Sequence, residues 1–173
     1  MIRRSVLLFF AALFSFNLHA QIIKTKLDVV GGISAREFLH IGLRYQYTDF
    51  TQLGIYYGGD IGIEDETIVT YAIDNMIHFG KHSFYSNRSV WYVRQGFTYV
   101  TSDETDRNRK FSYVNLSAGR EFTVNDWLGF NADLGLIWQL MENVTYDASG
   151  TEPTYHNRWE WHPLARVQVF VSL

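Results

Sequence analysis

The chain has no cysteine among its 173 residues. That excludes a disulfide scaffold, a thiol nucleophile and a cysteine-anchored lipoprotein. Proline is scarce, at 2 residues against 13 glycines. There is no basic excess either: the formal net charge is −3, so no cationic surface argues for nucleic acid. Beyond the N-terminus no apolar run is long enough for a transmembrane helix, and no long stretch repeats with helical periodicity. Aromatic residues, in contrast, make up 17% of the chain. Few prolines, many glycines and many aromatics suit numerous strands with tight bends and an aromatic-rich surface.

The first twenty residues read as a secretory signal peptide. Met1-Ile2-Arg3-Arg4 is short and basic, Val6 to Phe16 is nearly all apolar, and Leu18-His19-Ala20 offers a small residue before Gln21. The apolar run is too short to cross a bilayer as a helix. The expected organisation is a signal peptide over 1–20 and one β-barrel domain over 21–173, the size of a single domain.

The mature segment alternates. Side chains on a strand point to opposite faces in turn. In Trp127 to Leu140, one face carries Leu128, Phe130, Ala132, Leu134, Leu136, Trp138 and Leu140. The other carries Gly129, Asn131, Asp133, Gly135 and Gln139. The chain closes on another such run, Ala165, Val167, Val169, Val171 and Leu173. Six further runs precede these, at about 23–33, 39–48, 52–60, 67–79, 89–101 and 110–122, giving eight predicted strands. Thr48–Thr51 and Thr123–Asp126 read as tight turns on one side, with Gly80–Arg88 a longer one. Ile61–Glu66, Ser102–Arg109 and Glu142–Asn157 read as loops on the other, the last two long and polar. Short turns on one side and longer loops on the other suit an eight-stranded antiparallel up-and-down transmembrane β-barrel.

The alternative is a soluble, lipocalin-like ligand-binding barrel with the apolar face inside. The polar face argues against it. A solvated exterior would carry many long Lys and Glu side chains, whereas this face carries Gly, Ser, Asn, Gln and Tyr with charges of both signs. Lys26, Arg44, Arg94 and Arg166 stand against Asp28, Asp74, Glu121, Asp133 and Glu160. Near-balance suits a narrow lumen, where a lone desolvated charge costs several kcal/mol. The predicted lumen charge network comprises Arg44, Asp74, Arg94, Glu121, Asp133 and Arg166, centred on Arg94 and Glu121. Tyr45, Tyr47, Trp91, Tyr99, Trp127, Trp138, Trp159 and Trp161 lie near strand ends on the apolar face, where amphipathic rings meet a bilayer interface. On this register Leu134→Arg should impair folding far more than Gly135→Ser.

The Ala20-Gln21 junction, the segment SAGREFTVNDWLGFNADLGLIWQL and the terminal RVQVFVSL resemble the small eight-stranded outer-membrane barrels of the OmpA/OmpX-like group and the short outer-membrane β-barrel proteins of Bacteroidota. The resemblance covers nearly all of Gln21 to Leu173. It implies a bacterial outer-membrane location, contact with outer-membrane lipid and lipopolysaccharide, and a terminal strand read by the barrel assembly machinery. The matching positions are Val167, Val169, Phe170 and Val171, with Leu173 where phenylalanine is usual. Pro163 cannot donate to a ladder, which predicts a bulge or fraying near the outer rim.

Some barrels of this kind remove or transfer acyl chains of lipid A. The residues that could serve here are His156, His162 and Glu160, with Ser149 near in sequence. The deacylase pattern His-x-Ser-Asn occurs nowhere, and HSFYSN at His82–Asn87 lies on a predicted periplasmic turn. His40, His78, His156 and His162 belong to different strands without ligand spacing, so no metal site is expected. The favoured expectation is a non-catalytic monomeric barrel without a cofactor. Its lumen would be plugged, and it would be structural or act through its extracellular loops. The alternatives are a lipid A acyl hydrolase at the rim and the lipocalin-like barrel.

Overall fold

The structure, a computed structural model, describes residues 27–35, 37–60, 66–84, 88–105, 107–146, 154–156 and 160–173. The expected signal peptide, Lys26, Ser149 and Trp159 lie outside the described residues, as does the side chain of His156.

The described strands are β1 (Leu27–Ser34), β2 (Phe38–Thr48), β3 (Thr51–Gly59), β4 (Glu66–His82), β5 (Ser89–Glu104), β6 (Arg107–Thr123), β7 (Leu128–Tyr146), β8 (Thr154–His156) and β9 (Glu160–Ser172). Each long strand pairs antiparallel with its sequence neighbour. β9 pairs with both β7 and β1, which closes eight strands into a ring. β8 is a three-residue strand beside Glu142–Val144 of β7. Closure leaves no unpaired edge around the ring, as lipid requires of a spanning sheet. Both ends of the ring meet at one mouth, where Leu173 N–H donates to Leu27 O.

The alternation places the apolar face outward. Ile41, Ile55, Ile73, Leu134 and Val169 are all more than 40% exposed, and Leu134 reaches 71%. Arg44, Arg94 and Asn131 are fully buried. A soluble lipocalin-like barrel needs the reverse arrangement. Aromatic rings gather on the outer surface in two belts. Near the termini lie Tyr45, Phe79, Trp91, Phe122 and Phe130, with Phe122 and Phe130 stacked at 4.8 Å. Near the other mouth lie Tyr57, Tyr71 and Trp161, with Tyr57 and Tyr71 in edge contact at 5.4 Å. Arg120 also faces outward, and its guanidinium lies over the Trp91 and Phe122 rings at 5.3 and 4.9 Å. That position lets a long cationic side chain reach the bilayer interface.

Three sequence expectations change. Ser102–Arg109 is a tight hairpin rather than a long loop. The ladder continues through Ser102↔Arg109, Asp103↔Asn108 and Glu104↔Arg107, tied by an Arg107–Glu104 ion pair at 2.6 Å and an Asn108–Asp103 hydrogen bond at 2.8 Å. Polar residues there decorate strands that rise past the apolar belt. β7 likewise runs on to Tyr146, into the expected loop Glu142–Asn157. Pro163, thirdly, lies in a continuous β7–β9 register, opposite Leu136. The parity of the ladder explains this. Ala165 O accepts from Ala35 N–H on the β1 side, so Pro163, two residues earlier, also turns its nitrogen to that side. The β1 pairing ends at Ser34↔Arg166, so no donor is missed.

Candidate functional site

The lumen is the chemically densest part of the molecule, and alternation builds it. Each strand contributes inward residues two apart, so polar side chains from opposite walls meet on the axis. Glycines make the room. A Cβ at Gly119 would fall against the Tyr92 hydroxyl, Asp133 Cβ and the Ala132 carbonyl, and one at Gly54 against the Tyr56 hydroxyl and Asp74. The two tyrosines therefore lie across the lumen where a larger residue would push them out.

Two ion clusters fill the described interior. At the level of the termini, Arg88 holds Asp28 in a bidentate pair, with Nη1 and Nη2 donating at 2.7 and 3.0 Å. Arg44 donates to the same carboxylate at 3.2 Å, as does Gln52, and Ser172 donates at 2.6 Å. Arg88 also lies 3.5 Å from Glu121, and the Arg44 guanidinium covers the Phe170 ring at 4.7 Å. Halfway up, Arg94 stands between Asp74 and Asp133, 3.3 Å from each, and donates to Gln168 at 2.9 Å. Arg166 donates to Asp74 at 3.2 Å and closely to Glu37. Tyr56 and Tyr92 donate their hydroxyls to Asp74 and Asp133 at 3.3 and 3.0 Å. Buried guanidinium–carboxylate pairs of this kind hold each other because removing either partner strands a charge in low dielectric.

The structure places Arg44, Asp74, Arg94, Glu121, Asp133 and Arg166 all inside the lumen, each at most 4% exposed. It does not bring Arg94 to Glu121. The register sets Arg94 opposite Ser117, four residues along β6 from Glu121, and Arg88 is the cation that meets Glu121. Neighbouring strands alone do not decide a partner; the distance along them does. Arg88 and Glu37 carry no sequence signal for an inward place, because both lie in turns, where period-two alternation marks no face. Phe38 follows Glu37 in the left-handed region at φ 52°, uncommon for an aromatic residue. Ser34 Oγ accepts from Glu37 N–H at 2.9 Å within this reversal, and the Glu37 carboxylate lies inside with 2% exposure. Asp28, read as inward, joins the lower cluster. Glu160 is exposed at the rim.

Above the central cluster the lumen turns apolar. Val100, Tyr113, Ile137 and Leu164 form one layer, with Ile68 and Phe111 packed against it. Ile137 occupies an inward place on β7 between Gly135 and Gln139, an apolar side chain on a face whose other residues are small or polar. Over this layer opens a cavity of about 330 Å³, lined in part by Glu66, Arg109, Gln139, Glu142, Glu160 and His162. His162 and Glu160 thus share the outer mouth. Val167 and Val169 face outward, Phe170 faces the lumen at 2% exposure, and Leu173 ends the chain at 74%. His40 contacts Phe38 O and Gln168, and His78 contacts Ser89 O and Gln52. Among the described residues no group of three His, Asp or Glu side chains could hold a metal ion.

Ring closure, an outward apolar belt between aromatic girdles and an ion-paired interior define the class. It is the eight-stranded antiparallel transmembrane β-barrel of bacterial outer membranes. Comparisons of structure agree on the fold. The chain is similar to the N-terminal β-barrel domain of Pseudomonas aeruginosa OprF, with a TM-score of 0.53 and 14% identity over 86% of this chain and 96% of that one. It is also similar to a major outer membrane protein of Thermus thermophilus, with a TM-score of 0.50 and 11% identity over 90% of this chain and all of that one. No protein-family model and no curated protein matches the sequence.

Proposed function

We propose that the chain is a monomeric, non-catalytic outer-membrane barrel whose lumen is closed, and that its work is structural or done by its outer loops. The observation that carries this reading is the central cluster. Arg94 and Arg166 link carboxylates of β4 and β7 and of the β1–β2 turn across the axis. Among the described residues, four buried guanidinium groups, Arg44, Arg88, Arg94 and Arg166, face five buried carboxylates, Asp28, Glu37, Asp74, Glu121 and Asp133. Paired charges across so narrow a passage leave no free polar path for a solute. The outward face contacts outer-membrane lipid and lipopolysaccharide, and β9 carries the outward valines that the assembly machinery would read.

Planar-bilayer recording tests the closed lumen. The folded chain should give no resolvable steady single-channel conductance. A sustained open-pore current would overturn the reading. Mass analysis of lipid A from cells with and without the protein tests the absence of catalysis, since a changed acyl pattern would favour a rim-located hydrolase.

A further inference from the structure

We propose that Arg120, framed by Trp91 and Phe122, binds the phosphodiester of an anionic phospholipid in the periplasmic leaflet. The proposal deepens the lipid contact of the outward face. It rests on the chain being a membrane barrel and not on the closed lumen.

The lumen arginines each meet a carboxylate, but Arg120 does not. Alternation turns it outward from β6, where it is exposed. Among the described residues on the outward face, from the level of Phe79 and Trp91 up to that of Tyr71 and Trp161, it is the one charged side chain. It has no hydrogen bond and no ion pair among the described residues; its contacts are the Trp91 and Phe122 rings, at 5.3 and 4.9 Å. A guanidinium against hydrocarbon is costly, and its N–H groups need acceptors. Along this face the lipid is the one source of a counter-charge.

The surroundings shape a site. Trp91 lies across the ladder from Arg120 on β5, and Phe122 two residues further along β6. Phe122 is itself held by its stack on Phe130 of β7. On the β7 side the neighbour across the ladder is Ala132, too small to cover the guanidinium. Rings thus back the cation on one side while its other side stays open. Arginine recognises a phosphate through paired N–H donors, so this open side suits a phosphodiester.

Position selects the lipid. The guanidinium lies over Phe122, toward the turn that joins β6 to β7. Ser172 N–H donates to Trp127 O, which places that turn at the mouth where the chain ends meet. Short turns mark the periplasmic side of such barrels. The phosphate therefore belongs to the periplasmic leaflet, which excludes lipopolysaccharide. A headgroup without its own ammonium leaves the phosphate charge for Arg120, which favours phosphatidylglycerol over phosphatidylcholine.

The test uses the folded, ¹⁵N-labelled chain in dodecylmaltoside micelles, which carry no phosphate. Dioleoylphosphatidylglycerol should shift the Arg120 Nε–H and Trp91 indole N–H signals saturably. Dioleoylphosphatidylcholine should bind more weakly. Dioleoylglycerol, which lacks the phosphate, and glycerol 3-phosphate, which lacks the chains, should leave both signals in place. Arg120→Gln should weaken phosphatidylglycerol binding about tenfold, read at the Trp91 indole, as expected for loss of a charge-assisted contact. Lys110→Gln, an exposed cation toward the other mouth, should change nothing. Equal shifts with dioleoylglycerol or with glycerol 3-phosphate would overturn the proposal. So would equal affinity for phosphatidylcholine, binding unchanged in Arg120→Gln, or no saturable shift with phosphatidylglycerol. The heated-versus-unheated gel shift reports the barrel and single-channel recording the closed lumen, so a failed lipid titration leaves both of those standing.

Discussion

Leu134→Arg measures the depth of the lipid-facing belt. Leu134 is 71% exposed on β7, opposite Ala118 of β6 and Ala165 of β9. Two aromatic residues bracket it on the same face, Phe130 four residues below and Trp138 four residues above. Four residues of strand rise about 13 Å. A barrel tilt of roughly 40° reduces that to about 10 Å along the membrane normal, within the half-height of an apolar band about 25 Å tall. Leu134 therefore sits at the midplane, where arginine costs about 2–4 kcal/mol. At about 1.4 kcal/mol per decade, the folding equilibrium constant should fall by roughly thirty-fold to a thousand-fold. Leu128, six residues lower on the same face, lies at the interface, where the same substitution costs about 0–1 kcal/mol. Urea titrations in phospholipid vesicles, followed by tryptophan fluorescence and by the heated-versus-unheated gel shift, read both. Equal costs for Leu134→Arg and Leu128→Arg, or no cost at Leu134, would refute the depth assignment. Gly135→Ser, which alternation alone marks as benign, is no neutral control. A Cβ at Gly135 would run into the Leu116 carbonyl and the Ser117 backbone, so this variant should destabilise as well.

Arg94→Ala removes the cation nearest Asp133 and one of two on Asp74. It should cost about 3–5 kcal/mol in the same urea titration, less if water enters, and adding Asp133→Asn should recover part of the loss; a double variant no more stable than the single would count against the pairing. Gly119→Ala forces Tyr92 and Asp133 aside and should cost about 1–3 kcal/mol, read by the shift in urea midpoint. Pro163→Ala should stay within about 0.5 kcal/mol of the parent, because no ladder partner faces its nitrogen; a larger gain in stability would mean β1 extends further than Ser34.

Alternation by itself determined the architecture. A strand has a period of two, so Leu134 and Asp133 must face opposite ways whatever surrounds them, and eight such runs divided by turns already define a small barrel. The inward places of Arg44, Asp74, Arg94, Glu121, Asp133 and Arg166 follow from the same rule. Partner choice does not. It depends on stagger between strands and on distance across the ring, which is why Arg94 meets Asp74 and Asp133 while Glu121 meets Arg88. Arg88 and Glu37 reach the lumen from turns, where no periodicity marks a face. The tolerance of Pro163 depends on where β1 stops, a residue range far away in sequence. The mouth cavity exists because Val100, Tyr113, Ile137 and Leu164 come level on four strands. Face is a local property of one strand; level and partner are properties of the closed ring, and only tertiary structure sets them.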